Sequence, residues 1–173
     1  MRPSRQGTRP IWPTTQRNHD GSSDSFNPWM PSTGYFAVMT IEFSAVGMVA
    51  DDMAKTLAFY RLLGLDIPAS ADAESHVETT LPAGTRLMWD RAEAVRSMDP
   101  AWTPPSGGHR IALAFDCGSP GGVDGKYAEV IAADHRGHHA PWDAPWGQRY
   151  ATVLDPDGNH VDLFASLPDR TVG

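Results

Sequence analysis

The stretch APWGQRYATVLDPDGNHVDLFA, residues 144–165, decides the fold. It holds two runs of alternating character, 148–154 and 160–165, on either side of Asp155-Pro156-Asp157-Gly158-Asn159. Such residues favour a tight turn, because proline presets φ, glycine tolerates positive φ, and Asp and Asn bond their own backbone. The reading is two strands joined by a hairpin. Alternation from Asp162 puts Phe164 on its face and sends Val161 and Leu163 to the other. Across the turn, Tyr150 and Thr152 share the face of Asp162, leaving Ala151 and Val153 for the core.

Working back along the chain, HRIALAFD (109–116) is strand-like, with Ile111, Leu113 and Phe115 on one face and Arg110, Ala112 and Ala114 on the other. A helix over 121–134 follows, carried by Val123, Tyr127, Val130 and Ile131, and then a strand near 137–141. The first half has the same order. Residues 41–49 alternate as a strand, with Val46 and Met48 on one face and Phe43, Ala45 and Gly47 on the other. In VADDMAKTLAFYRLLG (49–64), Asp51 or Asp52 caps a helix over 52–63 whose apolar residues Met53, Leu57, Tyr60 and Leu63 recur at helical spacing. Gly64 stops it. Strands near 65–68, 76–81 and 85–90 are expected next, the last two joined at Pro82-Ala83-Gly84. The sequence therefore predicts an α+β fold of two tandem βαβββ modules, about 40–91 and 109–167, forming a curved mixed sheet or half-barrel around a pocket. Residues 92–108, rich in proline and glycine towards their end, make the linker.

The chain has 173 residues and a formal charge of −7, from 21 acidic against 14 basic residues. Residues 1–38 contain four arginines, five prolines and a Gly-Ser-Ser run with little periodicity, so they read as a disordered extension, with 39–173 as a single domain. Met39 is a candidate natural start. The remainder carries 10 basic against 19 acidic residues, a poor surface for a phosphate backbone or an anionic membrane. Neither nucleic acid nor membrane is an expected partner. Cys117 is the only cysteine, which excludes an internal disulfide and a thiolate metal cluster and fits a cytoplasmic location.

The runs 49–64, 109–116 and 144–165, taken in order, resemble the vicinal oxygen chelate superfamily, which includes glyoxalase I, bleomycin-resistance proteins and extradiol dioxygenases. The resemblance covers roughly 41–167. It implies the paired-module fold, a pocket, and a second copy of the chain as partner in a homodimer. Metal-dependent members hold the ion with His or Glu at four places, on the first and last strand of each module. Carried over residue by residue, those places fall on Ala45, Met88, Arg110 and Asp162. Alanine has no donor, the thioether of methionine is a poor ligand for such ions, and arginine is a permanent cation. Only Asp162 keeps a carboxylate, so no metal or other cofactor is expected; a divalent metal is the alternative.

Arg110 and Asp162 are expected to form a charge-assisted pair in the pocket. The candidate ligand-binding residues are Phe43, Ala45, Met88, Arg110, Trp142, Tyr150, Thr152, Asp162 and Phe164. Trp142 lies at the pocket rim, Trp146 anchors its loop, Trp89 belongs to the core, and Trp102 belongs to a lid. The surface reading holds for His109, His135, His138, His139 and His160. The functional expectation is a metal-free protein that sequesters a hydrophobic or aromatic small molecule. The alternative is a glyoxalase- or dioxygenase-like enzyme, either with a metal at a shifted site or transferring protons without one. Its candidate catalytic residues would be Asp162, Arg110, Glu78 and His76, with Arg110 stabilising an oxyanion.

Overall fold

The structure is a computed structural model in which residues 41–168 are described, so the expectation of disorder over 1–38 lies outside the described residues. Residues 42–168 belong to one compact unit. Its elements are β1 (Ala45–Ala50), α1 (Met53–Leu62), β2 (His76–Thr80), β3 (Arg86–Arg91), α2 (Ala92–Met98), β4 (Ala112–Asp116), α3 (Pro120–Ala132), β5 (Arg136–Ala144), β6 (Gln148–Leu154) and β7 (His160–Ser166). The fold is α+β, with two open mixed sheets ordered β1-β3-β2 and β4-β7-β6-β5. In each sheet the module's first strand lies parallel to its last, β1 beside β3 and β4 beside β7. Antiparallel pairing completes both.

Local chemistry explains most boundaries. Asp52 caps α1 by accepting from the Lys55 amide at 3.2 Å, and Gly64 leaves the helix at φ 96°. Ser119 caps α3 by accepting from the Gly122 amide at 3.1 Å, with Pro120 in the first turn.

The strand expected near 65–68 is not formed. Arg61 takes the carbonyls of Ile67 (2.6 Å) and Pro68 (2.9 Å) and pairs with Asp72 at 2.6 Å. Pro68 has no N–H to give to a ladder, and Ala69–Ala73 turn into a short 3₁₀ helix. The first sheet therefore has three strands where four were expected. The linker also differs, since its first seven residues, AEAVRSM, are good helix formers and make α2. β4 starts at Ala112, three residues later than expected.

The core lies between the two sheets' inner faces and the helices α1 and α3. Leu87 and Trp89 of β3, Ala151 and Val153 of β6, and Val161 and Leu163 of β7 are buried with Met53, Leu57, Phe59, Tyr60, Val123 and Val130 of the helices. Full burial of each large side chain stabilises by about 1.5–3 kcal/mol.

One polar cluster runs through this core. Asp155, 2% exposed, accepts from the backbone amides of Asp157 (3.0 Å) and Asn159 (2.8 Å), from the Asn159 side-chain amide (2.8 Å), and from the Tyr60 hydroxyl (3.0 Å). Asp157 accepts from the Thr56 hydroxyl at 2.6 Å and from the Asp51 amide at 2.8 Å. The 155–159 turn of the second module is thus clasped to the start and middle of α1 in the first. Burial, then the charge of Asp155, pushes the Tyr60 hydroxyl far above its ordinary range, which keeps it a donor.

Candidate functional site

The face of the second sheet turned away from the helices is where the sequence-predicted residues meet. Register places Trp142 opposite Tyr150 and Tyr150 opposite Phe164, while Thr152 lies opposite Asp162. Asp162, half-buried, accepts from the Thr152 hydroxyl at 2.7 Å. Tyr150 also bonds to it, and burial together with that carboxylate pushes the phenol up to about 12. Around this polar centre stand aromatic rings. Trp146 packs edge-on against Trp142 (5.3 Å between centroids) and against Tyr150 (5.5 Å), and His139 lies 5.3 Å from Trp142. Edge-on packing suits ring quadrupoles, and Trp146, more than half exposed, offers ring surface to a guest.

Trp146, read from sequence as a loop anchor, does pack the β5–β6 turn against the sheet, with its indole N–H donating to Gln148 at 2.9 Å; its ring, 58% exposed, also borders the cluster, a place the sequence reading did not give it. The available signal was spacing, since Trp142, Trp146 and Tyr150 are each four residues apart across a hairpin.

Other predicted residues lie elsewhere. Ala45 and Met88 share the corresponding face of the first sheet, where Gly47 is the direct partner of Met88. His76 and Glu78 are on that face too, and both are engaged: His76 contacts Asp90 at 2.7 Å and Glu78 pairs with Arg86 at 2.9 Å. Phe43 precedes β1 and is 76% exposed. Arg110 precedes β4, is exposed, and makes no ion pair among the described residues. The expected Arg110–Asp162 pair is not formed, because the strand partner of Asp162 is Ala114, four residues further along. Asp162 is satisfied by hydroxyls instead.

The residues on which the resemblance would place the metal donors, Ala45, Met88, Arg110 and Asp162, do not suit a divalent ion, and Arg110 lies outside β4. Ala45 and Met88 supply no suitable donor, Arg110 brings positive charge, and Asp162 stands alone with its hydroxyl partners. Among the described residues, no group of three or more His, Cys, Asp and Glu is arranged to hold a metal. His109 stacks on His160 at 3.3 Å between centroids, with His138 4.3 Å away. Rings stacked in this way do not aim their nitrogens at one point. Burial, followed by the neighbouring His109 and His138, lowers the proton affinity of His160, and Asp162 opposes this.

A separate cavity of about 310 Å³ opens at the seam of β1 and β4, lined among others by Val46, Met48, Trp102 and Leu113. None of the nine predicted ligand-binding residues lines it. No described helix is long and apolar enough to cross a membrane.

Comparison with known proteins gives a consistent picture. The family model for the Glyoxalase/Bleomycin resistance protein/Dioxygenase superfamily matches residues 42–163. No curated protein matches the chain. A glyoxalase/bleomycin resistance protein/dioxygenase family enzyme from Burkholderia phytofirmans PsJN is similar in structure, with a TM-score of 0.63 at 23% identity over 73% of this chain and 100% of that one. A glyoxalase/bleomycin resistance protein/dioxygenase from Nocardioides gives 0.58 at 22%, over 80% and 91%. A lactoylglutathione lyase from Agrobacterium tumefaciens gives 0.51 at 21%, over 72% and 92%. At such identities the structural likeness speaks for the fold.

Proposed function

This chain belongs to the Glyoxalase/Bleomycin resistance protein/Dioxygenase superfamily, and from that premise we propose that it binds a hydrophobic or aromatic small molecule without a catalytic metal and sequesters it unchanged. The observation that carries the reading is the helix-free face of the second sheet. Where relatives place a metal donor, this chain has Asp162 held by Thr152 and Tyr150, bordered by the rings of Trp142 and Trp146. The exposed ring surface of Trp146 holds a planar guest with little loss of side-chain entropy, and the hydroxyl–carboxylate centre orients it. Phe164 adds apolar surface, and Arg110 at the margin could meet an acidic group on the guest. A second copy of the chain would cover this face in a homodimer.

Proton transfer by Asp162 with Arg110 stabilising an oxyanion is less well supported, because the two side chains belong to positions four residues apart in register. The test is calorimetric titration of protein purified without chelator, using a panel of aromatic natural products, with recovery of each compound afterwards. Saturable binding with full recovery, weakened at least about tenfold in Trp142→Ala, is the expected result. Consumption of a bound compound, or a stoichiometric transition metal by elemental analysis, would overturn the reading.

A further inference from the structure

The seam cavity, about 310 Å³, is near the lower size of small-molecule pockets, and nothing in the proposed sequestration uses it. Val46, Met48, Ile111 and Leu113 give it apolar walls, and Trp102 with Pro104 closes it from the linker. Trp102 is fixed in place. Its backbone N–H donates to the Asp99 carbonyl at 3.0 Å, and the Arg96 guanidinium lies 5.1 Å from its ring centroid.

The polar lining consists of Asp51, Asp157, Asn159 and His160. These groups chiefly accept. Burial raises the proton affinity of Asp157, while the Thr56 hydroxyl and the Asp51 amide, from which it accepts, hold it down. Asn159 already gives a side-chain N–H to Asp155. The Asp51 carboxylate has no hydrogen bond or ion pair among the described residues. Burial beside His109 and His138 favours the neutral form of His160, which adds no positive charge.

We propose that the seam cavity is a second ligand site, taking a compact aryl or alkyl amine with its ammonium group at Asp51 and Asp157 and its apolar body against Trp102. An anionic ligand would face two carboxylates, whereas an ammonium supplies the donors that this end lacks. The cavity shares no lining residue with the aromatic cluster: Val46, Met48 and Leu113 point to the opposite side of their strands from Ala45, Met88 and Asp162, while Gly47, Val49 and His160 reach it from that same side.

Isothermal titration of the intact chain with phenethylamine, phenethyl alcohol and phenylpropionate tests this. The amine should bind about tenfold more tightly than the alcohol, as one charge-assisted contact predicts, and phenylpropionate should not bind. Asp51→Asn should erase the preference for the amine, and Trp102→Ala should weaken amine and alcohol alike. Asp51 is exposed and unpaired, so its variant keeps the fold even if Trp102→Ala does not. Equal binding of all three compounds, or binding of none, overturns the proposal. So does amine binding that survives both substitutions and disappears in Trp142→Ala, which would place the amine on the helix-free face.

Discussion

Replacing Tyr60 with phenylalanine removes one oxygen from the core and leaves the ring in place. The ring contacts to Phe59 (5.2 Å) and Trp89 (5.0 Å) remain, so no cavity larger than a hydroxyl opens. What disappears is the donor 3.0 Å from Asp155, a carboxylate 2% exposed that draws on four donors and would keep three. A hydrogen bond to a charged, buried group contributes about 1.5–3 kcal/mol, so Tyr60→Phe should destabilise by about 2 kcal/mol. Asp155→Ala should destabilise more, since it leaves several buried donors without an acceptor, each at about 1–3 kcal/mol. Urea unfolding reads both. With a slope of about 2 kcal/mol/M, Tyr60→Phe should lower the midpoint by about 1 M with the slope unchanged. A double-mutant cycle with Asp155→Asn should show coupling of about 1–2 kcal/mol, because the two groups touch. A loss under about 0.5 kcal/mol, or additivity within about 0.3 kcal/mol, would refute the claim that this contact fastens α1 to the 155–159 turn.

Further outcomes follow from other contacts. Gly122→Ala should destabilise by about 1–3 kcal/mol in the same assay, because a Cβ there would run into the Cys117 carbonyl, which is backbone and cannot rotate away; an unchanged midpoint would contradict the packing. His160 takes up a proton less readily when folded than when unfolded, so its stabilisation is complete above about pH 6.5 and is lost as pH falls through its lower folded value. Unfolding midpoints should therefore fall between about pH 7 and about pH 5, and His160→Gln should flatten that slope. An identical slope in the variant would assign the effect elsewhere. Finally, Asp162→Asn should bring the Tyr150 phenol down from about 12 towards the ordinary tyrosine value, seen by ultraviolet titration against a Tyr150→Phe blank. No movement would mean that the carboxylate is not its partner.

Much of the fold was legible in the chain, because periodicity and capping are local. The alternation of 148–154 and 160–165 gave both faces of β6 and β7 correctly, and Asp52 with Gly64 bounded α1 to within a residue. Less of the site was legible. Tyr150, Thr152, Asp162 and Phe164 follow from alternation alone, but the Arg110–Asp162 pair required a strand offset that alternation does not contain. Residues 65–68 look extended by themselves, and only the folded position of Arg61 shows their carbonyls already taken.

The sequence by itself determined most of the order of elements, the hairpin at 155–159 and the superfamily, since each depends on residue type and near-neighbour spacing; the lack of a strand at 65–68 and the helix α2 were not in it. Tertiary structure decided what those residues touch. Asp155 and Asp157, which look like ordinary turn formers, became the acceptors for Tyr60 and Thr56 some hundred residues away. Trp102 became a cavity wall, and Asp162 went to two hydroxyls and not to an arginine. Hydrogen-bond partners and cavities are set by packing between elements distant in sequence, and no local pattern encodes that packing.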